Sequence, residues 1–297
     1  GTASNFVEVI KVGETLSPKY VFYLLYNNFH SGLVYKYQQQ TTGIINFKLR
    51  EYGSEVVSIP KSRTEQSKIA EVLTTVDRAI AQTEALIAKQ QRIKTGLMQD
   101  LLTRGIDEHG QLRSEATHTF KDSSLGRIPV EWEVTALEEV ADVSGGKRLP
   151  AGHSYAEGKT GFVYLRVLDF YNREIDVDSL VSLEGDTFQT LQRYEIRDGE
   201  LCISIAGSLG YVSVLRLRTD MRAILTENAL RIVPGSEIDA DYLCMAMNGL
   251  AVQTQVEALK GTGGGVPKLA LHRVKSLSVA FPKDKMEQER IIGREKL

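Results

Sequence analysis

The sequence predicts an α+β protein: two similar mixed domains linked by one long helix of the coiled-coil type. Three observations carry that prediction. A helix-opening phrase occurs twice, as IPKSRTEQSKIAEV at 59–72 and FPKDKMEQERIIGR at 281–294. A stretch without proline, and with Gly96 as its one glycine, runs from Thr64 to about Arg104. Before the second phrase, short β-type runs alternate with turn signals around one amphipathic helix pattern.

A chain of 297 residues is long enough for two domains with cores of their own. Its 42% apolar and 25% charged residues are the balance of a globular protein. No run of 18 apolar residues and no charged-then-apolar leader occurs, so a cytoplasmic chain without a membrane partner is expected. Cys202 and Cys244 each lie among apolar residues and are expected as buried free thiols of a reducing compartment. The histidines are scattered without ligand-like spacing, so no metal site is expected. A net charge of −2 excludes a uniformly basic chain, and any nucleic-acid contact must come from local patches.

In chain order, residues 1–60 form the last third of a domain. SPKYVFYLLYNNFHSGLVYKY is its helix, QQQTTGIINFKL its loop, and SEVVSIP a strand-like run that Pro60 ends. Ser62 is a good N-cap, and Glu65 three residues on completes a capping box, which satisfies orphan N–H groups of a first helical turn. Residues 61–105 are then helix. Its seam falls at Ile69, Leu73, Val76, Ile80, Ile87, Leu97 and Leu101 in steps of four and three, with polar Thr83, Gln90 and Lys94 in the middle. Roughly 40 residues at 1.5 Å each give a rod of about 60 Å. Such a rod cannot bury its seam in a small domain, so a partner helix is expected. Gly105 stops the helix.

Residues 106–127 are polar and turn-rich, a linker. Globular sequence resumes near Trp132, and residues 128–282 form the second mixed domain. GFVYLRVLDF, ELCISIAG, YVSVLRL and ALRIV read as strands, RDGE and AGSLG as turns, and 239–259 as one helix. Asp284 and Glu287 open a second spacer helix over 283–297.

A single offset of 222 pairs Pro60 with Pro282, Glu65 with Glu287, Gln66 with Gln288 and Ile69 with Ile291, and extends upstream to Tyr20 and Tyr242. An internal duplication follows. The chain therefore reads as the middle of a longer two-repeat protein, entered partway through one repeat and ended early in the next.

The residues offer no catalytic constellation. GTGGG (261–265) follows a helix and enters a strand, the reverse of the order that aims a helix N-terminus at a phosphate. SGGKRLP (144–150) lacks the glycine spacing and trailing hydroxyl of a P-loop. Asp176 and Asp178 read as turn residues, and no Ser–His or Cys–His signature is present. No catalytic residue and no cofactor are expected.

In layout and wording the chain resembles the specificity subunit of type I restriction-modification systems. IPKSRTEQSKIAEVLTTVDRAI with KTGLMQDLLTRGID resembles the family's central helical region, and FKDSSLGRIPVEWEVTALEEVADVSGGK the entry to its second target-recognition domain. ELCISIAGSLGYVSVL, ILTENALRI and GTGGGVPKLAL resemble the rest of that domain. The resemblance implies a subunit without chemistry of its own. Each recognition domain would read one half of a bipartite double-stranded DNA site, while the helices set the spacing. Methyltransferase subunits would dock on the chain, and a restriction and translocation subunit would complete the assembly. Loop residues able to read bases or hold phosphates are Lys147, Arg148, Lys159, Arg166, Arg173, Lys260, Thr262 and Lys268 in the complete domain. In the partial one they are Lys36, Gln38, Gln39, Gln40, Thr41 and Lys48. Two rival readings stay open: a coiled-coil adaptor that binds proteins, and a nucleotide-using enzyme at GTGGG.

Overall fold

The computed structural model describes residues 7, 9–41, 44–171, 174–260 and 268–295. They divide into two compact units, Gly1–Arg92 and Ile93–Leu297. The predicted α+β composition is found in both.

The first unit holds α1 (Pro18–His30), a hairpin of β1 (Gln38–Thr41) with β2 (Ile44–Phe47), α2 (Leu49–Gly53) and the start of α3 (Arg63–Arg104). Pro18 at the first helical position sets α1, because its fixed φ suits that site and its missing N–H costs nothing there. Gln66, on the first turn of α3, is 1% exposed and ties the unit together. It accepts from the Ser17 N–H at 2.8 Å and donates to the Pro60 carbonyl at 2.8 Å.

The second unit opens with the end of α3 and the hairpin β3 (Phe120–Ser123) with β4 (Gly126–Pro129). There follow β5 (Trp132–Ala136), α4 (Leu137–Val140), β6 (Ala141–Gly145), β7 (Phe162–Leu165), β8 (Phe170–Tyr171), β9 (Glu174–Ile175) and β10 (Val181–Ser182). Next come α5 (Gly185–Leu191), β11 (Glu195–Ile196), β12 (Leu201–Ser204), β13 (Val212–Val214), β14 (Arg222–Leu225) and β15 (Ala229–Pro234). The unit closes with α6 (Ala240–Met247), α7 (Leu250–Ala258), α8 (Leu271–Lys275), β16 (Ser278–Pro282) and α9 (Lys285–Glu295).

Two four-stranded sheets, ordered β10-β7-β14-β11 and β13-β12-β15-β6, form its centre. Their strands are nearly continuous apolar runs because both faces are covered. Val163 and Leu165 of β7, Ala223 and Leu225 of β14, and Cys202 of β12 share one cluster. The alternate residues Tyr164 and Ile224 instead meet Phe188 and Leu191 of α5. Leu201 and Ile203 of β12 face a third cluster with Tyr242, Met247, Phe281 and Ile291. The period of two in side-chain direction thus sorts each run between two layers. Across β11 and β14, Arg222 donates to both Glu195 oxygens at 2.8 Å, with its guanidinium 4.6 Å from the Phe188 ring centre.

The offset of 222 survives in three dimensions. α1 and α6, α2 and α8, and α3 and α9 each begin 222 positions apart. Ser54 and Ser276 both donate to the carbonyl three residues before them, at 2.8 and 3.1 Å.

Three local expectations change. The helix pattern at 239–259 is two helices, α6 and α7, with Gly249 as the N-cap of the second. Gly249 is extended (φ −70°, ψ 157°), which interrupts the helix, and a Cβ on it would stand 2.6 Å from Leu102 Cδ1 at the end of α3 and 3.0 Å from the Ala246 carbonyl. The run at 55–60 pairs with no strand among the described residues, and Val56 is 94% exposed. Its counterpart β16 is a strand because β5 lies beside it, from Ser278↔Ala136 to Pro282↔Trp132. Finally, Glu287 does not close a capping box. Its carboxylate takes both ends of the Arg113 guanidinium, the Trp132 indole N–H at 3.2 Å and the Ile106 N–H at 3.2 Å. Burial of those donors outweighs the exposed cap, because an unpaired buried charge is the costlier state.

The seam residues Ile69, Leu73, Val76, Ile80, Ile87 and Leu97 of α3 are 37–63% exposed, while Leu101 is buried in the second unit's core. Cys202 is buried and Cys244, expected to be buried, is half-buried; neither is in a disulfide.

Candidate nucleic-acid interface

The segment SGGKRLP leaves the end of β6 and lies against the β14–β15 turn. The Gly146 N–H donates to the Ala229 carbonyl at 3.3 Å, and the Lys147 N–H to the Leu225 carbonyl at 2.8 Å. Tyr164 Oη donates to the Lys147 carbonyl at 2.8 Å from the β7 side. A Cβ on Gly146 would sit 2.1 Å from the Thr226 carbonyl oxygen, so only glycine permits this approach. Gly146 therefore serves the close packing of this loop against the β14–β15 turn.

Beyond this seat opens a cleft of about 620 Å³, lined by Arg148, Tyr155, Arg166, Ser208, Glu227 and Asn228 among others. Arg148 is 78% exposed at its rim and donates through Nε to Glu227 Oε1 at 2.8 Å. The second Glu227 oxygen accepts from Thr226 Oγ1 at 2.9 Å. Burial pushes the Glu227 carboxyl up, but the Arg148 and Thr226 hydrogen bonds outweigh it and hold the group below its ordinary range. Glu227 is therefore ionised at neutral pH.

The predicted contact residues fare differently. Lys147 and Arg148 stand exposed on the seated loop. Lys268 is exposed and its backbone bridges Ala206, a residue of the cleft wall. Arg166 reaches the cleft but is turned inward, donating through Nε and Nη2 to Asp169 at 3.1 and 2.7 Å. Lys159 donates to the Asp178 and Leu180 carbonyls at 2.7 and 3.3 Å and thereby pins a loop. Lys260 pairs with Glu257. Arg173 and Thr262 lie outside the described residues, as does GTGGG. In the first unit, Gln38, Gln39, Gln40 and Thr41 form β1, opposite Phe47, Asn46, Ile45 and Ile44. Lys36 is exposed just before that strand, and Lys48 just after the hairpin pairs with Glu51 at 3.2 Å.

The sequence reading missed Tyr155, Glu227 and Asn228. The last two form the polar pair inside the apolar stretch RAILTENALRIV, a pattern that marks a turn at the ends of two buried strands. Asp176 accepts from the Asp178 N–H at 3.1 Å, the turn role expected of it. Among the described residues no group of three or more His, Cys, Asp or Glu could hold a metal ion. No helix among them is long and apolar enough to cross a membrane.

Residues 129–294 match the family described as type I restriction modification DNA specificity domain. The type I restriction enzyme MjaVIII specificity subunit of Methanocaldococcus jannaschii is 26% identical over 247 residues, which is 81% of this chain and 54% of that protein. The putative MjaX specificity subunit of the same organism is 22% identical over 94% of this chain and 60% of its own length. The chain thus spans little more than half of these relatives. Among solved structures, a chain from a study of type I R-M complex assembly and conformational transition aligns with TM-score 0.59 and 17% identity, over 95% of this chain and 63% of its own. The S subunit of a type I system from M. genitalium aligns with TM-score 0.53 and 17% identity, over 95% and 66%. Both share the fold.

Proposed function

The chain belongs to the type I restriction-modification DNA specificity family, and from that premise we propose that it is the sequence-reading, non-catalytic subunit of a cytoplasmic methyltransferase complex. The second unit reads one half of a bipartite double-stranded site, and the first unit contributes to reading the other. α3, with its 42 residues, sets the spacing between half-sites, and its open seam and the recognition units offer the docking surface for modification subunits. A restriction and translocation subunit joins the same assembly. Methyl transfer and cleavage belong to those partners.

The observation that carries this reading is the cleft inside the family-matched region. Exposed Lys147 and Arg148 stand on backbone held by β14 and β15, and exposed Lys268 bridges Ala206 of the cleft wall, in a chain of net charge −2. A local basic patch on an overall acidic protein is a footprint for the phosphate backbone, which positions a reader on the duplex, while base contacts supply the specificity.

The test is a map of methylated adenines in cells carrying the chain with its modification subunits. Methylation confined to one two-part sequence with a fixed gap is expected. Methylation or binding indifferent to sequence would overturn the proposal.

A further inference from the structure

We propose that Arg148 reads a guanine edge in the target DNA, with Glu227 as the residue that aims it. This rests on the reading of the second unit as a DNA-recognition domain, and deepens it to one residue and one base.

Guanine offers two acceptors, O6 and N7, on its major-groove edge, and the fork of an arginine guanidinium matches both. A reader of that kind needs three things: a fixed backbone, a fixed side-chain direction, and a free fork. Arg148 has each. The backbone before it is fastened by the Gly146 and Lys147 N–H bonds to Ala229 and Leu225 and by Tyr164 Oη on the Lys147 carbonyl. The side chain is directed by one bond, Nε to Glu227 Oε1 at 2.8 Å, and Glu227 is itself held by Thr226. That bond uses the nitrogen that faces back along the side chain. Among the described residues nothing accepts from Nη1 or Nη2, and the side chain is 78% exposed.

Among the described residues, the other candidate cations of the second unit fail one of these conditions. Arg166 has committed Nε and Nη2 to Asp169 and is 25% exposed. Lys159 is turned onto two carbonyls. Lys147 and Lys268 are exposed, but an ammonium lacks the planar fork and suits phosphate. Both Glu227 oxygens are already engaged, one by Arg148 and the other by Thr226. The part of Glu227 is positioning.

The experiment selects binding sites from a randomised duplex pool with the full chain assembled with its modification subunits, as wild type and as Arg148→Lys, Arg148→Ala, Glu227→Gln and Arg166→Lys. The wild type is expected to enrich a motif containing a required G·C pair. Arg148→Lys keeps the charge and loses the fork, so guanine preference at that one position should fall about 10- to 100-fold while the rest of the motif stays. Glu227→Gln should weaken the same position less, and Arg166→Lys should leave it in place. An unaltered motif for both Arg148 variants, or a uniform loss of affinity with the motif intact, overturns the assignment and leaves the recognition reading standing. A wild type that enriches no motif overturns the recognition reading, and the assignment with it. Circular dichroism of each variant separates misfolding from lost readout, and Arg148→Lys is the deciding variant if Arg148→Ala fails to fold.

Discussion

Gln66 and Gln288 make the same pair of hydrogen bonds in the two units. Each accepts from the N–H of the N-cap residue 49 positions earlier, Ser17 at 2.8 Å and Asp239 at 2.7 Å. Each donates to a proline carbonyl six positions earlier, Pro60 at 2.8 Å and Pro282 at 2.9 Å. Both side chains are buried, so neither amide can exchange these partners for water. One glutamine thereby fastens three pieces of each repeat: the start of one helix, the end of the preceding extended run and the start of the next helix.

Gln288→Ala leaves the Asp239 N–H and the Pro282 carbonyl without those partners. A cost of about 1–3 kcal/mol is expected for the second unit. Urea unfolding followed by the fluorescence of Trp132, the one tryptophan of the chain, reads it directly. An unmoved midpoint would show that the glutamine does not hold the joint.

The paired glutamates should part company. Glu287→Gln strands the Arg113 guanidinium, whose side chain is 10% exposed, and is expected to cost about 3–5 kcal/mol. Glu65→Gln, at the equivalent exposed position, should change stability by no more than about 0.5 kcal/mol. The same denaturation experiment compares the two, and similar effects would contradict the burial argument.

Acid should weaken the strap between β11 and β14. Hydrogen bonds from Arg222 lower the Glu195 carboxyl, against a smaller upward push from burial. A lowered folded value contributes stability that is complete above the ordinary range near about pH 4.3 and is lost as pH falls through the folded value. Glu195→Gln should therefore be destabilised at neutral pH, and its gap from the wild type should close on acidification below about pH 4. Urea midpoints across that range decide it; a gap that stays constant with pH counts against the linkage.

Gly146→Ala would place a Cβ 2.1 Å from the Thr226 carbonyl and 2.4 Å from that of Leu225. These are backbone atoms and cannot swing aside, so a cost of about 1–3 kcal/mol is expected. Since the same loop carries Arg148, the variant should lose guanine preference as well as stability. Site selection at a temperature where the variant remains folded separates the two effects, and intact preference would show that the loop seat does not aim the arginine.

Inserting seven residues near the middle of α3 keeps the seam in phase and lengthens the helix by about 10 Å. That is about three base-pair steps at 3.4 Å. The methylated site should then show a gap longer by about that much, with both half-sites unchanged. A change in the half-sites themselves would remove α3 from the role of spacer.

The sequence by itself determined whatever depends on neighbours along the chain. Ser62 and Asp284 start their helices because a cap acts within one turn, and the predicted starts lie within two residues of Arg63 and Lys285. GFVYL, RAIL and ELCIS are apolar on both faces and became central strands. The Pro–Lys–x–x–x–Glu–Gln phrase marked the repeat because the glutamine's partners lie at the same separations in both copies. Only the tertiary structure decided which equivalent residues are used in the same way. Glu65 and Glu287 occupy one phrase, yet only Glu287 meets Arg113, from 174 positions away. Arg148 and Arg166 are both loop arginines in the sequence. Asp169, three positions on, folds Arg166 back, while Glu227, 79 positions away, leaves the Arg148 fork open. Helix starts and strand faces follow from short-range sterics and periodicity. The pairing of distant charges follows from which backbone segments the core brings side by side, and no local pattern encodes that.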